Sequence, residues 1–164
     1  MAYQKNPERL IKICQSLLEK NSSLKIGIVG TGDLEDIVKR EIALMNSNNI
    51  KYLGFQSNPL KIIKDAKVMI MTSRYEGTPM VALESLALGT PIVSTPVDGM
   101  KHLIKNDFNG YLHFDDDELV KSILDIVSKN KLYLQMSQNC KKKFDDLCDE
   151  NKYLEKLRKE YNNG

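Results

Sequence analysis

A chain of 164 residues, 41% of them hydrophobic, is one domain with enough apolar side chains to build a core. A net charge of +2 and 7% aromatics give no nucleic-acid surface, and the Lys141-Lys142-Lys143 run reads as a solvated helix face. No apolar stretch approaches the ~20 residues of a membrane span and no secretory leader is visible; Cys14, Cys140 and Cys148, odd in number and without metal-site or CxxC spacing, read as reduced thiols of a cytoplasmic protein.

Helix and strand patterns alternate along the chain. Pro7 to Lys20 is amphipathic, with Leu10, Ile13, Leu17 and Leu18 on one side. Leu24 to Val29 reads as a strand, Asp33 to Met45 as a helix capped by Asp33, and Lys51 to Gly54 as a short strand. A helix over Pro59 to Lys64 precedes an apolar strand at Lys67 to Thr72. The next helix runs from Pro79 to Leu88, with Thr78 as its N-cap, Pro79 at its first position, and Gly89 and Pro91 as its stop. A strand at Pro91 to Thr95, a short helix near Gly99 to Ile104 and a strand at Tyr111 to Phe114 follow. Helices over Glu118 to Ser128, Leu132 to Phe144 and Glu150 to Tyr161 complete the chain, the first opened by Asp115-Asp116-Asp117 as a capping cluster rather than a metal site. This alternation, with near-continuous apolar strands, predicts an α/β fold: a parallel sheet covered by helices on both faces.

In such sheets ligands bind beyond the carboxyl ends of the strands. The loops that fall there are Gly30-Thr31-Gly32, Phe55-Gln56-Ser57, Ser73-Arg74-Tyr75-Glu76-Gly77 and Pro96-Val97-Asp98-Gly99. Gly30 and Gly32 let backbone approach a ligand, though Glu35 stands where a dinucleotide fingerprint needs its third glycine. The N-terminus of the Pro79 helix is a second place for an anion. Two carboxylates, Glu76 and Glu84, lie eight positions apart around that helix start. Between Met80 and Leu88 only Glu84 and Ser85 are not apolar. A carboxylate on so apolar a helix either needs a partner, such as ligand hydroxyls, or shares with Ser85 a thin solvent stripe that also exposes Val81 and Leu88. His102 and His113 lie far from any nucleophile pattern and read as ordinary histidines.

Glu76, seven residues and Glu84 resemble the Glu-x7-Glu motif of the retaining, nucleotide-sugar-dependent glycosyltransferases of family 4. Val29-Gly30-Thr31-Gly32, Leu53-Gly54-Phe55, Ser73 to Gly77, Glu84 to Val93, Gly99 and Asn109-Gly110-Tyr111-Leu112 are similar to that family in the same order, from about Lys5 to about Val127. The resemblance implies one half of a GT-B fold, the Rossmann-like donor-binding domain, occupying residues 1–164 with C-terminal helices from about 118 onward. Carried over by position, Glu84 would hold the nucleotide ribose and Glu76 the donor-sugar hydroxyls, stabilising positive charge at the anomeric carbon. Lys5 would neutralise the leaving diphosphate, making it and Glu76 the catalytic pair. Backbone N–H groups of Gly77, Thr78 and Met80 would meet sugar or diphosphate, and Phe55 would flank the base. The donor is then a nucleotide-diphosphate sugar, with no metal and no other cofactor. The family's first strand and its diphosphate-binding arginine have no counterpart ahead of Lys5; neither Arg9 nor Arg74 matches it. The acceptor-binding domain has none either, so the 164 residues are expected to be inactive alone. The full enzyme would build surface polysaccharide or glycoconjugate in the cytoplasm, with peripheral association at the inner face of the membrane an open expectation. An epimerase-like GT-B domain and a non-catalytic nucleotide-binding module are the alternatives.

Overall fold

Strand and helix alternate over residues 2–149, the part of the chain that the computed structural model describes. A short 3-10 turn (Tyr3–Lys5) leads through Asn6, which takes a left-handed conformation (φ 51°), into α1 (Pro7–Lys20). Pro7 opens α1 because its missing N–H would be unsatisfied there in any case. Then follow β1 (Ile26–Val29), α2 (Glu35–Leu44), β2 (Ile50–Gly54), α3 (Leu60–Asp65), β3 (Met69–Met71), α4 (Met80–Leu88), β4 (Ile92–Ser94), α5 (Asp98–Lys101), β5 (Gly110–Leu112), α6 (Asp116–Ser128) and α7 (Asn130–Cys148). The helix expected over 150–161 lies outside the described residues.

Two expected caps differ. Asp33 does not cap α2: the Glu35 N–H closes a turn on Gly32 O at 2.9 Å first, so the helix starts two residues later, after Leu34. At α4 the capping position falls to Pro79 (φ −74°, ψ 106°), and Thr78 lies one residue outside. Proline holds its own φ, and extended ψ keeps it out of the helix proper. Asp115 does cap α6, accepting from the Glu118 N–H at 3.0 Å. Gly89 ends α4 in the left-handed region (φ 78°), and the Thr90 N–H returns to Ser85 O at 2.9 Å.

All pairing is parallel, but in two pieces: β1 with β2, and β3-β4-β5 with β4 in the centre. One continuous sheet was expected. Helix–strand alternation fixes how many strands there are and which way they run, not which edges meet, and β1 and β3 share no hydrogen bond. Side chains continue the layer instead: Ile26 of β1, Ile70 of β3, Val93 of β4 and Tyr111 of β5 pack with Ile13 and Leu17 of α1 and with α6. A second cluster joins α4 to β3, β4 and α7, and a third seats α1 and α2 on Ile28 and Ile50.

Helix α1 also sets the polarity. The residues that lead into it hang on the carboxyl end of β3, where the Thr72 hydroxyl donates toward Lys5 O and Asn6 O at 3.0 and 3.2 Å. The helix runs back to the opposite edge, from which β1 rises. The loops after β1, β3 and β4 therefore gather on one edge, and Gly30 N–H to Gly54 O at 2.8 Å adds the end of β2.

Candidate functional site

The strand β3 ends in three polar residues whose partners are all long-range or tightly local. The Thr95 hydroxyl donates to Ser73 O at 2.7 Å, the Arg74 N–H donates to Gln4 O at 2.8 Å, and the Gln4 side chain donates to Tyr75 O at 3.0 Å. The Arg74 guanidinium reaches Asn6 Oδ1 at 3.0 Å and lies 4.3 Å from the centre of the Tyr3 ring. Residues 3–6 are thus strapped across the 72–76 loop, and that strap delivers Lys5 to Glu76.

Lys5 Nζ stands 2.5 Å from Glu76 Oε1. The Ser73 hydroxyl donates to the same oxygen at 2.7 Å, and Gln4 Nε2 approaches Oε2 at 3.4 Å. The Glu76 side chain is 6% exposed and that of Lys5 46% exposed, so a buried carboxylate meets an ammonium open to solvent. Behind them the Gly99 N–H donates to Glu76 O at 3.0 Å. A Cβ on Gly99 would fall 1.8 Å from Gly77 O, whereas one on Gly77 would meet nothing within 4 Å. Backbone packing dictates the glycine at 99; open space lies in front of the glycine at 77.

Past Gly77 the chain presents unfilled donors. No side chain caps α4, and among the described residues no acceptor engages the N–H groups of Gly77, Thr78 or Met80. With the helix dipole behind them they form an anion-facing edge. Ser85 is fully buried, its hydroxyl donating to Thr90 O at 2.9 Å, which overturns the Glu84–Ser85 solvent stripe. The outward stripe is Met80, half-buried Glu84 and Ala87, at helical spacing from the α4 N-terminus. Among the described residues no hydrogen bond or ion pair engages the Glu84 carboxylate.

The other loops are less committed. Gly30 and Gly32 both take positive φ (118° and 141°), a backbone shape that demands glycine. The Tyr52 hydroxyl donates to Gly30 O, fixing the turn, and Glu35 pairs with Lys39 at 2.7 Å, which holds its carboxyl below the usual range. Phe55, 74% exposed, projects from the end of β2. Arg9 is occupied elsewhere, with Asp116 at 2.6 Å and Phe114 O. His113 is structural, 3.0 Å from the Ser122 hydroxyl and stacked on Tyr111. Sequence reasoning placed Ser73 in the site's loop but missed Gln4 and Thr72 as partners; for Thr72 the polar run right after an apolar strand was the available signal.

Residues 1–143 match the family described as glycosyl transferases group 1. A galactosyltransferase of Escherichia coli, named for UDP-Gal and a GlcNAc-diphosphoundecaprenol acceptor, is 30% identical over 146 residues, covering 85% of this chain and 38% of that protein. An uncharacterized glycosyltransferase of Methanocaldococcus jannaschii is 34% identical over 113 residues, 67% of this chain and 29% of its own length. The fold superimposes on TarM of Staphylococcus aureus, solved with UDP, at a TM-score of 0.89 and 24% identity, over 97% of this chain and 33% of that one. Anabaena HepE, solved with UDP-glucose, gives 0.79 at 19% identity over 89% of this chain and 42% of its own. The chain spans less than half the length of each of these relatives. Among the described residues, no helix is long and apolar enough to cross a membrane. The chain belongs to the glycosyl transferases group 1 family.

Proposed function

We propose that these residues form the donor-binding half of a retaining, family 4, GT-B glycosyltransferase that takes a sugar from a UDP-sugar. The observation that carries this reading is the unpartnered Glu84 carboxylate, one turn along α4 from an N-terminus whose N–H groups are also unfilled. A nucleoside diphosphate satisfies both at once. Its ribose hydroxyls donate to Glu84, and its phosphates accept from the N–H groups of Gly77, Thr78 and Met80. The left-handed glycines at 30 and 32 bring backbone to the donor, and exposed Phe55 flanks the base. Glu76 takes sugar hydroxyls and stabilises charge at the anomeric carbon, while Lys5 neutralises the leaving diphosphate; fixed cations and helix dipoles replace a metal. The relatives' names support UDP as the nucleotide and a glycoconjugate acceptor. The acceptor-binding half faces this one across a cleft in the whole enzyme, which works in the cytoplasm at the membrane's inner face.

Replacing Glu84 with glutamine keeps a carbonyl acceptor but removes the charge. Charge-assisted hydrogen bonds are worth roughly 1.5–3 kcal/mol, so UDP affinity of Glu84→Gln should fall about ten- to a hundredfold. Calorimetry with UDP on parent and variant measures this. Equal affinity would reduce Glu84 to a surface residue and end the reading.

A further inference from the structure

The donor-site reading gives Lys5 to the diphosphate and Glu76 to the sugar, yet in the structure the two are bound to each other. We propose that Glu76 is the resident counter-ion of Lys5 and that the donor's diphosphate displaces it, freeing for the sugar a carboxylate that Ser73 and Gln4 also contact. This inference rests on that reading.

The asymmetry of the pair decides which partner moves. The Glu76 side chain is 6% exposed, and three donors from Lys5, Ser73 and Gln4 converge on its two oxygens. Its backbone is pinned by the Gly99 N–H at 3.0 Å. The Lys5 ammonium sits at the end of a flexible four-carbon stem whose side chain is 46% exposed. A diphosphate carries more negative charge than one carboxylate, so it competes for Lys5 and draws the ammonium outward. Oε1 then keeps Ser73 but loses its cation. A buried carboxylate oxygen short of a donor is costly, and a sugar hydroxyl restores the missing bond. Arrival of the diphosphate and capture of the sugar are thereby linked, and linkage is reciprocal.

The exchange has a signature that simple contact lacks. Removing the Glu76 charge leaves Lys5 unclaimed, so Glu76→Gln should bind UDP more tightly, by roughly three- to tenfold for a partly exposed pair. UMP, one phosphate shorter, should change less than about twofold. In a Lys5→Met background the tightening by Glu76→Gln should disappear. Calorimetry on the four chains with UDP and UMP reads all of this. In the unmutated chain, NMR of the Lys5 Cε–Hε group should show a shift with UDP and none with UMP, a measurement that needs no variant to fold. UDP binding that Glu76→Gln leaves equal or weaker, or a tightening that persists at full size without Lys5, overturns the exchange and leaves the donor-site reading standing. No UDP binding by any chain, the parent included, overturns both.

Discussion

The three-stranded half and the two-stranded half of this molecule use the same βα unit and end up differently constrained. In the three-stranded half all three residues of the central strand β4 are buried, with α4 on one side and α6 on the other. Its polar residues are buried and satisfied as well: Thr72, Ser73, Ser85, Thr90, Ser94, Thr95 and Asn109 all have partners, and among the described residues no buried side-chain nitrogen or oxygen lacks one. In the two-stranded half only the face carrying Ile28 and Ile50 is covered, and the opposite face shows Lys25, Gly27 and Lys51 to solvent. The difference teaches where precision is invested. The paired Lys5 and Glu76 stand on the over-determined half, while Gly30, Gly32 and exposed Phe55 stand on the lighter one.

One substitution made in both halves gives the largest contrast. In Gly99→Ala the new methyl would lie 1.8 Å from Gly77 O and 2.9 Å from Glu76 O, backbone atoms that cannot turn aside as a side chain can. This should cost at least ~4 kcal/mol and leave little folded protein. In Gly27→Ala the nearest atom, at 2.9 Å, is the end of the Leu53 side chain, which can turn away. The loss of unfolded-chain entropy works in alanine's favour there, so stability should stay within about 1 kcal/mol. Urea midpoints of the two variants measure the gap; similar midpoints would show that the halves are equally constrained.

Much of the fold and of the candidate site was legible in the sequence, and the parts that were not have physical reasons. Runs such as Pro91 to Thr95 signal buried strands because β-branched Ile92 and Val93 are flanked by a proline and small hydroxyl residues and by no charge, and the Glu76–Glu84 spacing signals a strand-loop-helix site because carboxylates are conspicuous beside apolar segments. The strap of residues 3–6 leaves no such trace: Arg74 and Asn6 meet across 68 positions, and nothing periodic connects them. Ser85 reads as a surface residue by type, but its hydroxyl finds Thr90 O beyond the end of α4, which makes its burial cheap. The shift of the α4 cap from Thr78 to Pro79 is a matter of one ψ angle, below what residue type specifies. The split sheet depends on which strand edges meet, a tertiary fact.

Two buried thiols report local stability in each half. Cys14 packs beneath the two-stranded half with Ile28 and Val38, and Cys140 packs in the other half with Leu86 and Met100. Burial pushes both up to about 12, so intrinsic reactivity is suppressed alike and labelling reads opening. Exposed Cys148 should label at once, Cys14 next, and Cys140 last by about tenfold or more, each factor of ten being ~1.4 kcal/mol of opening free energy. Peptide mapping after timed alkylation at pH 8 decides it, and Cys140 labelling first would reverse the comparison. The same shifts fix the sign of the alkaline response. Unfolded thiols ionise near 9 while the folded ones stay neutral to about 12, so this stabilisation is complete below pH 9 and is lost progressively between pH 9 and 12.

The smallest effect should come from deleting one hydroxyl in each half. Thr95→Val keeps the shape of a residue that is 4% exposed but strips the donor from Ser73 O, stranding a buried carbonyl just behind Glu76. An unsatisfied buried acceptor costs about 1–3 kcal/mol. Tyr52→Phe strips the donor from Gly30 O, but that carbonyl sits on a half-buried turn that water can reach, and the ring keeps its place beside Lys39, 5.4 Å from the ring centre. The loss should be about 0.5–1 kcal/mol, the net worth of an ordinary hydrogen bond that water replaces. Thr95→Val should lower stability roughly twice as much as Tyr52→Phe, and only Tyr52→Phe should loosen the Gly30–Gly32 turn and weaken UDP binding beyond what the stability change explains. Urea denaturation paired with UDP calorimetry separates the two. A larger stability loss from Tyr52→Phe would mean that the lighter half holds its turn more tightly than its packing suggests.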